Sequence, residues 1–211
     1  MRHTLGLIVL VAGAHAACAS QSTYVPEERA TATLGGRTAA TYALPSEQGT
    51  QGNLRLASHG VTKLKRGEDE SLKAIHLRVA LSDNGREPIV LDARAQRLQL
   101  PDGRKLSAAF IKSPLSAPPL IRVEPGSAQT VDLYFPIPRD LLDQSSPPQF
   151  DVVWRVEVGN ETVSNITPFD KVAVDPAEAR LDLAEDIMQE HVYLIDPYWG
   201  PSGVGMPIEA R

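Results

Sequence analysis

Cysteine is nearly missing from this chain: Cys18 is the single one in 211 residues. An internal disulfide is therefore impossible, and any core must rest on packing alone. Long apolar runs are also lacking. The longest covers residues 5–14, about half of the ~20 needed to span a bilayer. Aromatic residues make up only 5%. Basic residues are outnumbered, 21 against 26 acidic, for a formal charge of -5. That balance argues against a nucleic-acid partner, which favours a basic patch, and gives no polybasic segment for gripping anionic lipid.

Chemistry-bearing motifs are scarce as well. Beyond residue 17 the histidines are His59, His76 and His191, and none stands at metal-ligand spacing from another. A copper or zinc site would be built from these histidines, with Met188 or Met206 as further candidate ligands. His76 is placed on the polar face of a strand. His191 falls near the end of a helical segment, where a cation suits the dipole. Gly200-Pro201-Ser202-Gly203 lacks the G-x-S-x-G order of a nucleophile elbow, and Gly203-Val204-Gly205 lacks the lysine of a phosphate loop. Glu68-Asp69-Glu70 reads as a solvated turn. The spaced acids between Asp182 and Glu190 match no calcium loop, which needs a central glycine. The expectation is a non-enzymatic protein with no catalytic residue, no metal and no cofactor beyond a covalent lipid.

What is present begins at the N-terminus. Arg2 precedes the apolar run, and His15-Ala16-Ala17-Cys18 closes it before the polar Ala19-Ser20-Gln21-Ser22. This is the charged, apolar and small-residue order of an export signal. Ala16, Ala17 and Cys18 resemble the cleavage motif of bacterial lipoprotein signal peptides, although His15 stands where an aliphatic residue is usual. The resemblance implies cleavage after residue 17 and acylation of Cys18. Since Ala19 rather than Asp follows, it also implies the outer membrane, facing the periplasm. Ala14-His15-Ala16 equally fits ordinary secretion with cleavage after Ala16; display at the cell surface is a further alternative. Two or three acyl chains would hold the protein firmly, at ~0.8 kcal/mol per buried methylene.

Residues 18–51 read as the lipidated cysteine and a flexible tether, being rich in Ser, Thr, Ala, Gly and Gln with no sustained period. The alternative is that Tyr42-Ala43-Leu44-Pro45 packs on the domain as an extra edge. From Asn53 the apolar pattern alternates, the mark of half-buried strands. Ile75, Leu77, Val79 and Leu81 share one face, with His76 and Arg78 on the other. Val131, Leu133 and Phe135 alternate with Thr130, Asp132 and Tyr134. Phe150, Val152, Trp154, Val156 and Val158 form another face. Asp102-Gly103 predicts a hairpin whose second strand runs over residues 105–111. Seven or eight strands over about 120 residues predict an all-β fold, an antiparallel β-sandwich of immunoglobulin-like count over residues 52–172.

The strand Ile75-His76-Leu77-Arg78-Val79-Ala80-Leu81, the turn Pro101-Asp102-Gly103 and the run Val123-Glu124-Pro125-Gly126 to Phe135-Pro136 resemble the Ig-like domains of uncharacterised bacterial lipoproteins. These motifs are turns and strand faces, so the resemblance bears on fold and hardly on activity. Residues 173–211 read as a C-terminal helix and a tail. Asp175-Pro176-Ala177-Glu178 is a helix start, and Leu181, Ala184, Ile187, Met188 and Val192 recur at helical spacing. Tyr198 and Trp199, in the Pro/Gly-rich tail, either fold back on the domain or present a contact for an envelope protein partner. The expected function is a membrane-anchored binding or scaffolding module of the cell envelope. The alternative is a periplasmic small-ligand or metal carrier, or a hydrolase.

Overall fold

Alternating apolar residues fold here into strands that stack in two layers, each burying one face against the other. The computed structural model describes residues 22–46, 49–66, 70–112, 119–142, 147–173, 192–195 and 207–208. In chain order the strands are β1 (Ser22–Pro26), β2 (Ala30–Leu34), β3 (Arg37–Ser46), β4 (Gly49–Arg66), β5 (Glu70–Asp83), β6 (Ile89–Asp92), β7 (Arg97–Gln99) and β8 (Lys105–Ser107). There follow β9 (Phe110–Lys112), β10 (Leu120–Val123), β11 (Ala128–Pro136), β12 (Phe150–Val158), β13 (Glu161–Ala173), β14 (Val192–Leu194) and β15 (Pro207–Ile208). A single turn of α-helix, α1 (Arg139–Leu142), lies between β11 and β12.

The first sheet runs β1-β13-β12-β6-β10, with β7 joining β12 to β8; the second runs β15-β14-β9-β11-β5-β4-β3-β2. The pairings are antiparallel throughout. The protein is thus an all-β, two-sheet antiparallel sandwich. The expected inward faces are buried: Ile75, Leu77, Val79 and Leu81 from β5, Val131, Leu133 and Phe135 from β11, and the Phe150–Val158 face of β12. Within that core Trp154 Nε1 donates to Thr167 Oγ1 at 3.0 Å, and the Tyr42 hydroxyl lies 2.7 Å from the same oxygen. The space left among Leu54, Leu77, Phe135, Trp154 and their neighbours is about 10 Å³, at most one water's worth.

Three expectations need correction. First, most of the segment read as tether is structured, since β1, β2 and β3 lie within residues 22–46. Tyr24, Ala40, Tyr42 and Leu44 enter the core, and burial of those side chains outweighs the cost of ordering a Ser/Thr/Ala-rich backbone. Second, the strand expected over residues 105–111 is two. Ala108 and Ala109 carry the chain from β8 in the first sheet to β9 in the second, both side chains buried. Third, Val192 stands in β14 paired with β9, not in a helix. The helix start at Asp175, with Leu181, Ala184, Ile187 and Met188, lies outside the described residues. So do Cys18, His191, Tyr198 and Trp199.

Candidate functional site

The face of β5 that carries His76 and Arg78 was expected to be the polar face of a strand. Instead it holds a buried row of rings. Register sets this up: Tyr134 of β11 stands opposite both His76 of β5 and Phe110 of β9. One strand further, β4 carries a bulge between Ser58 and Gly60, so that His59 is the extra residue beside the Gly60–His76 pair. Gly60 takes φ +80° there, a left-handed conformation that glycine adopts without strain. Its N–H donates to Ser58 Oγ at 3.2 Å. The result is a stack. The His59 and His76 rings are 4.7 Å apart at 27°, and the His76 and Tyr134 rings 4.7 Å apart at 23°.

Asp132, two residues before Tyr134 on the same face, ties the stack to charge. Its Oδ1 accepts from His76 Nε2 at 2.9 Å and from Arg78 Nε at 2.7 Å, while Oδ2 accepts from Arg78 Nη2 at 3.1 Å. Burial alone would raise the Asp132 carboxyl; the hydrogen bonds from His76 and Arg78 overcome it and hold the group well below the usual carboxylate range. His59 is driven the other way from a typical histidine. Burial comes first, and the neighbouring His76, Arg78 and Arg37 add to it against a partial offset from Asp132, lowering it to about 3. His59 is therefore neutral across the physiological range. Its Nε2 is buried without a hydrogen-bond partner among the described residues. The β2–β3 turn lies over this end of the stack: a Cβ on Gly35 would come 3.0 Å from His59 Cε1 and would collide with Arg78 Nη1.

Chemically the arrangement holds an Asp-oriented histidine, the first half of a base-and-orienter relay. Among the described residues the other half is not beside it. Ser58 Oγ is buried and accepts from Gly60 N–H, so it does not supply a nucleophile to His76. Among the described residues no group of three or more His, Cys, Asp or Glu is arranged to hold a metal ion. The two histidines that sequence spacing kept apart are brought together, but as parallel faces and not as converging nitrogens.

Sequence reasoning placed His76 and Arg78 together on the polar face of their strand; in the structure that face is covered, with His76 2% exposed and Tyr134 0%. His59 was weighed only as a metal ligand, and Asp132 and Tyr134 only as the alternate face of their strand. The available signal was His59-Gly60, an isolated glycine inside a strand, which marks a bulge.

No family model matches the chain, and no curated protein matches it either. Among solved structures it is similar to the structural-genomics target SoR45, at 8% identity and TM-score 0.35, over 58% of this chain and 86% of that one. It is also similar to an uncharacterized beta-sandwich protein from Clostridium difficile 630, at 9% identity and TM-score 0.34, over 60% of this chain and 89% of that one.

Proposed function

We propose that the chain is an outer-membrane lipoprotein, anchored through acylated Cys18 and facing the periplasm. Its sandwich, of immunoglobulin-like type, serves as a non-enzymatic binding or scaffolding module of the envelope. One observation carries the reading: the only cysteine closes a short apolar run, and a folded domain starts almost at once after it, at Ser22. The closed apolar core and the stack under the Gly35 turn fit a module that meets its partner at the surface. Two features offer contact. The edge strands β2 and β10 present backbone groups of the kind that pair with another chain. The second is the sequence segment that carries Tyr198 and Trp199, which lies outside the described residues.

Fractionation of cells expressing Cys18→Ala tests the anchor. The variant is expected in the soluble periplasmic fraction and the parent in the outer membrane. An unmodified mature N-terminus at Ala17 with a free thiol, seen by mass spectrometry, overturns it. For the contact, a photocrosslinker at Trp199 is expected to capture one envelope protein, with loss of capture in Tyr198→Ala.

The second reading, a periplasmic carrier or hydrolase, is favoured by the 2.9 Å bond between His76 and Asp132 beside a histidine at about 3. Native mass spectrometry of protein released from envelopes distinguishes the two: a stoichiometric small-molecule adduct that disappears in His76→Ala supports the carrier.

A further inference from the structure

We propose that the end of the sandwich where the chain enters β1 is a lipid-facing surface, held against the headgroups of the leaflet that carries Cys18. This rests on the lipoprotein reading and adds an orientation to it. Only Ala19, Ser20 and Gln21 separate Cys18 from Ser22. Fully extended, that link reaches at most about 14 Å, against the much longer leash that a 33-residue tether would give. Ser22 is the outer end of β1, paired with Ala173, the last residue of β13. A Cβ on Gly60 would lie 3.8 Å from the Ser22 carbonyl, so β4 passes the same point.

From there β4 continues outward. It pairs with β5 from Val61–Ile75 to Arg66–Glu70, while the pairing of β11 with β5 ends at Pro136–Ala74, followed by one bond from Ile137 N–H to the Lys73 carbonyl at 3.0 Å. Beyond Lys73 the second sheet continues as a two-stranded ribbon. A link of at most about 14 Å keeps this end of an anchored domain at the headgroups.

The ribbon is built for a fixed position. On one side Leu64 is buried with Ala74, Phe110 and Tyr134, and Leu72 packs against them. On the other, Lys63 and Lys73 stand directly opposite each other, both exposed. Like charges facing across strands cost stability, and an anionic headgroup supplies the counter-charge. Glu68, Asp69 and Glu70 are close by in sequence, so the Lys63–Lys73 face and the short link, not net charge, set the orientation. Val61 and Val172, 39% and 44% exposed, lie at this end too. The turns around Asn84, Pro125 and Gly159 lie at the opposite end, facing away from the membrane and toward solvent.

The test uses full-length protein with Cys18 acylation verified by intact mass, reconstituted in phosphatidylethanolamine–phosphatidylglycerol vesicles. An environment-sensitive fluorophore is placed through Lys63→Cys or, separately, Asn84→Cys, and nitroxide-labelled lipids serve as quenchers. The label at 63 is expected to lose most of its emission and that at 84 to keep it. Equal quenching at both positions, or none at 63, overturns the orientation while leaving the anchor intact. An unacylated Cys18 overturns the lipoprotein reading itself. A Gly/Ser insertion of 20 residues after Gln21 is expected to bring quenching at 63 down toward the level at 84; undiminished quenching there refutes the short-link account.

Discussion

A neutral imidazole packed between cationic groups makes His59 an acid-sensitive residue. Its folded value of about 3 lies below the ordinary 6.5, so between these limits the unfolded chain binds more protons than the folded one. Its contribution to stability is complete above pH 6.5 and is lost as the pH falls toward 3. Asp132, held low in the fold, adds a second loss as pH falls below its ordinary 3.8. The urea midpoint is expected to fall between pH 7 and pH 5, and to fall less in His59→Phe. An equal fall in both proteins would mean that His59 titrates normally. Thr167 is the other residue with leverage, because one hydroxyl serves both Trp154 and Tyr42. Thr167→Val strands two buried polar groups and should cost about 2–6 kcal/mol at ~1–3 for each unsatisfied group. Trp154→Ala, which also opens a cavity, should cost ~3–5 kcal/mol. Chemical denaturation of the two variants against the parent measures both.

At the scale of elements, the bulge in β4 absorbs one residue, His59, so that Val61, Lys63 and Leu64 keep their places opposite β5. Ser58 pairs with Leu77 and Gly60 with His76, so without His59 these become consecutive pairs of a regular ladder, and Leu64 still stands opposite Leu72. Deleting His59 is expected to remove one ring of the stack and leave amide protection from Val61 to Lys73 in place, read by hydrogen exchange. Loss of protection at Leu64 would refute the register argument.

The same scale explains what the amino-acid pattern revealed. β5, β11 and β12 were legible because large apolar residues alternate along them, Ile75 to Leu81, Val131 to Phe135 and Phe150 to Val158. β2 and β3 were not, because Ala32, Ala39 and Ala40 are small and the polar Thr and Gly between them mimic a linker; only Tyr42 and Leu44 betray the alternation. β10 is four residues long and alternates only over Leu120–Val123. The ring stack stayed hidden because Tyr134, His76 and His59 become neighbours only through registers spanning three strands, which no local period encodes.

For the whole molecule, the position of β1 and β3 decides where the folding unit begins. β1 pairs with β13 in the first sheet, while β3 pairs with β4 in the second, so the N-terminal strands brace both layers. Tyr24 stacks at 4.8 Å on Phe150, and its hydroxyl donates to the Pro147 carbonyl at 2.9 Å. Tyr42 packs 4.9 Å from Trp154. A chain of residues 52–172, the unit that composition alone marks out, lacks Tyr24, Tyr42 and Leu44. Each large-to-small loss of this kind costs ~2–5 kcal/mol, and three together match or exceed a typical total of ~5–15 kcal/mol. A chain beginning at Ser22 keeps all three. In near-ultraviolet circular dichroism the longer chain is expected to show a fixed aromatic signal and a single cooperative melt, and the shorter one neither. If the shorter chain melted cooperatively at the same temperature, the first three strands would be additions to a domain complete without them, and the link to Cys18 would lengthen again to a tether.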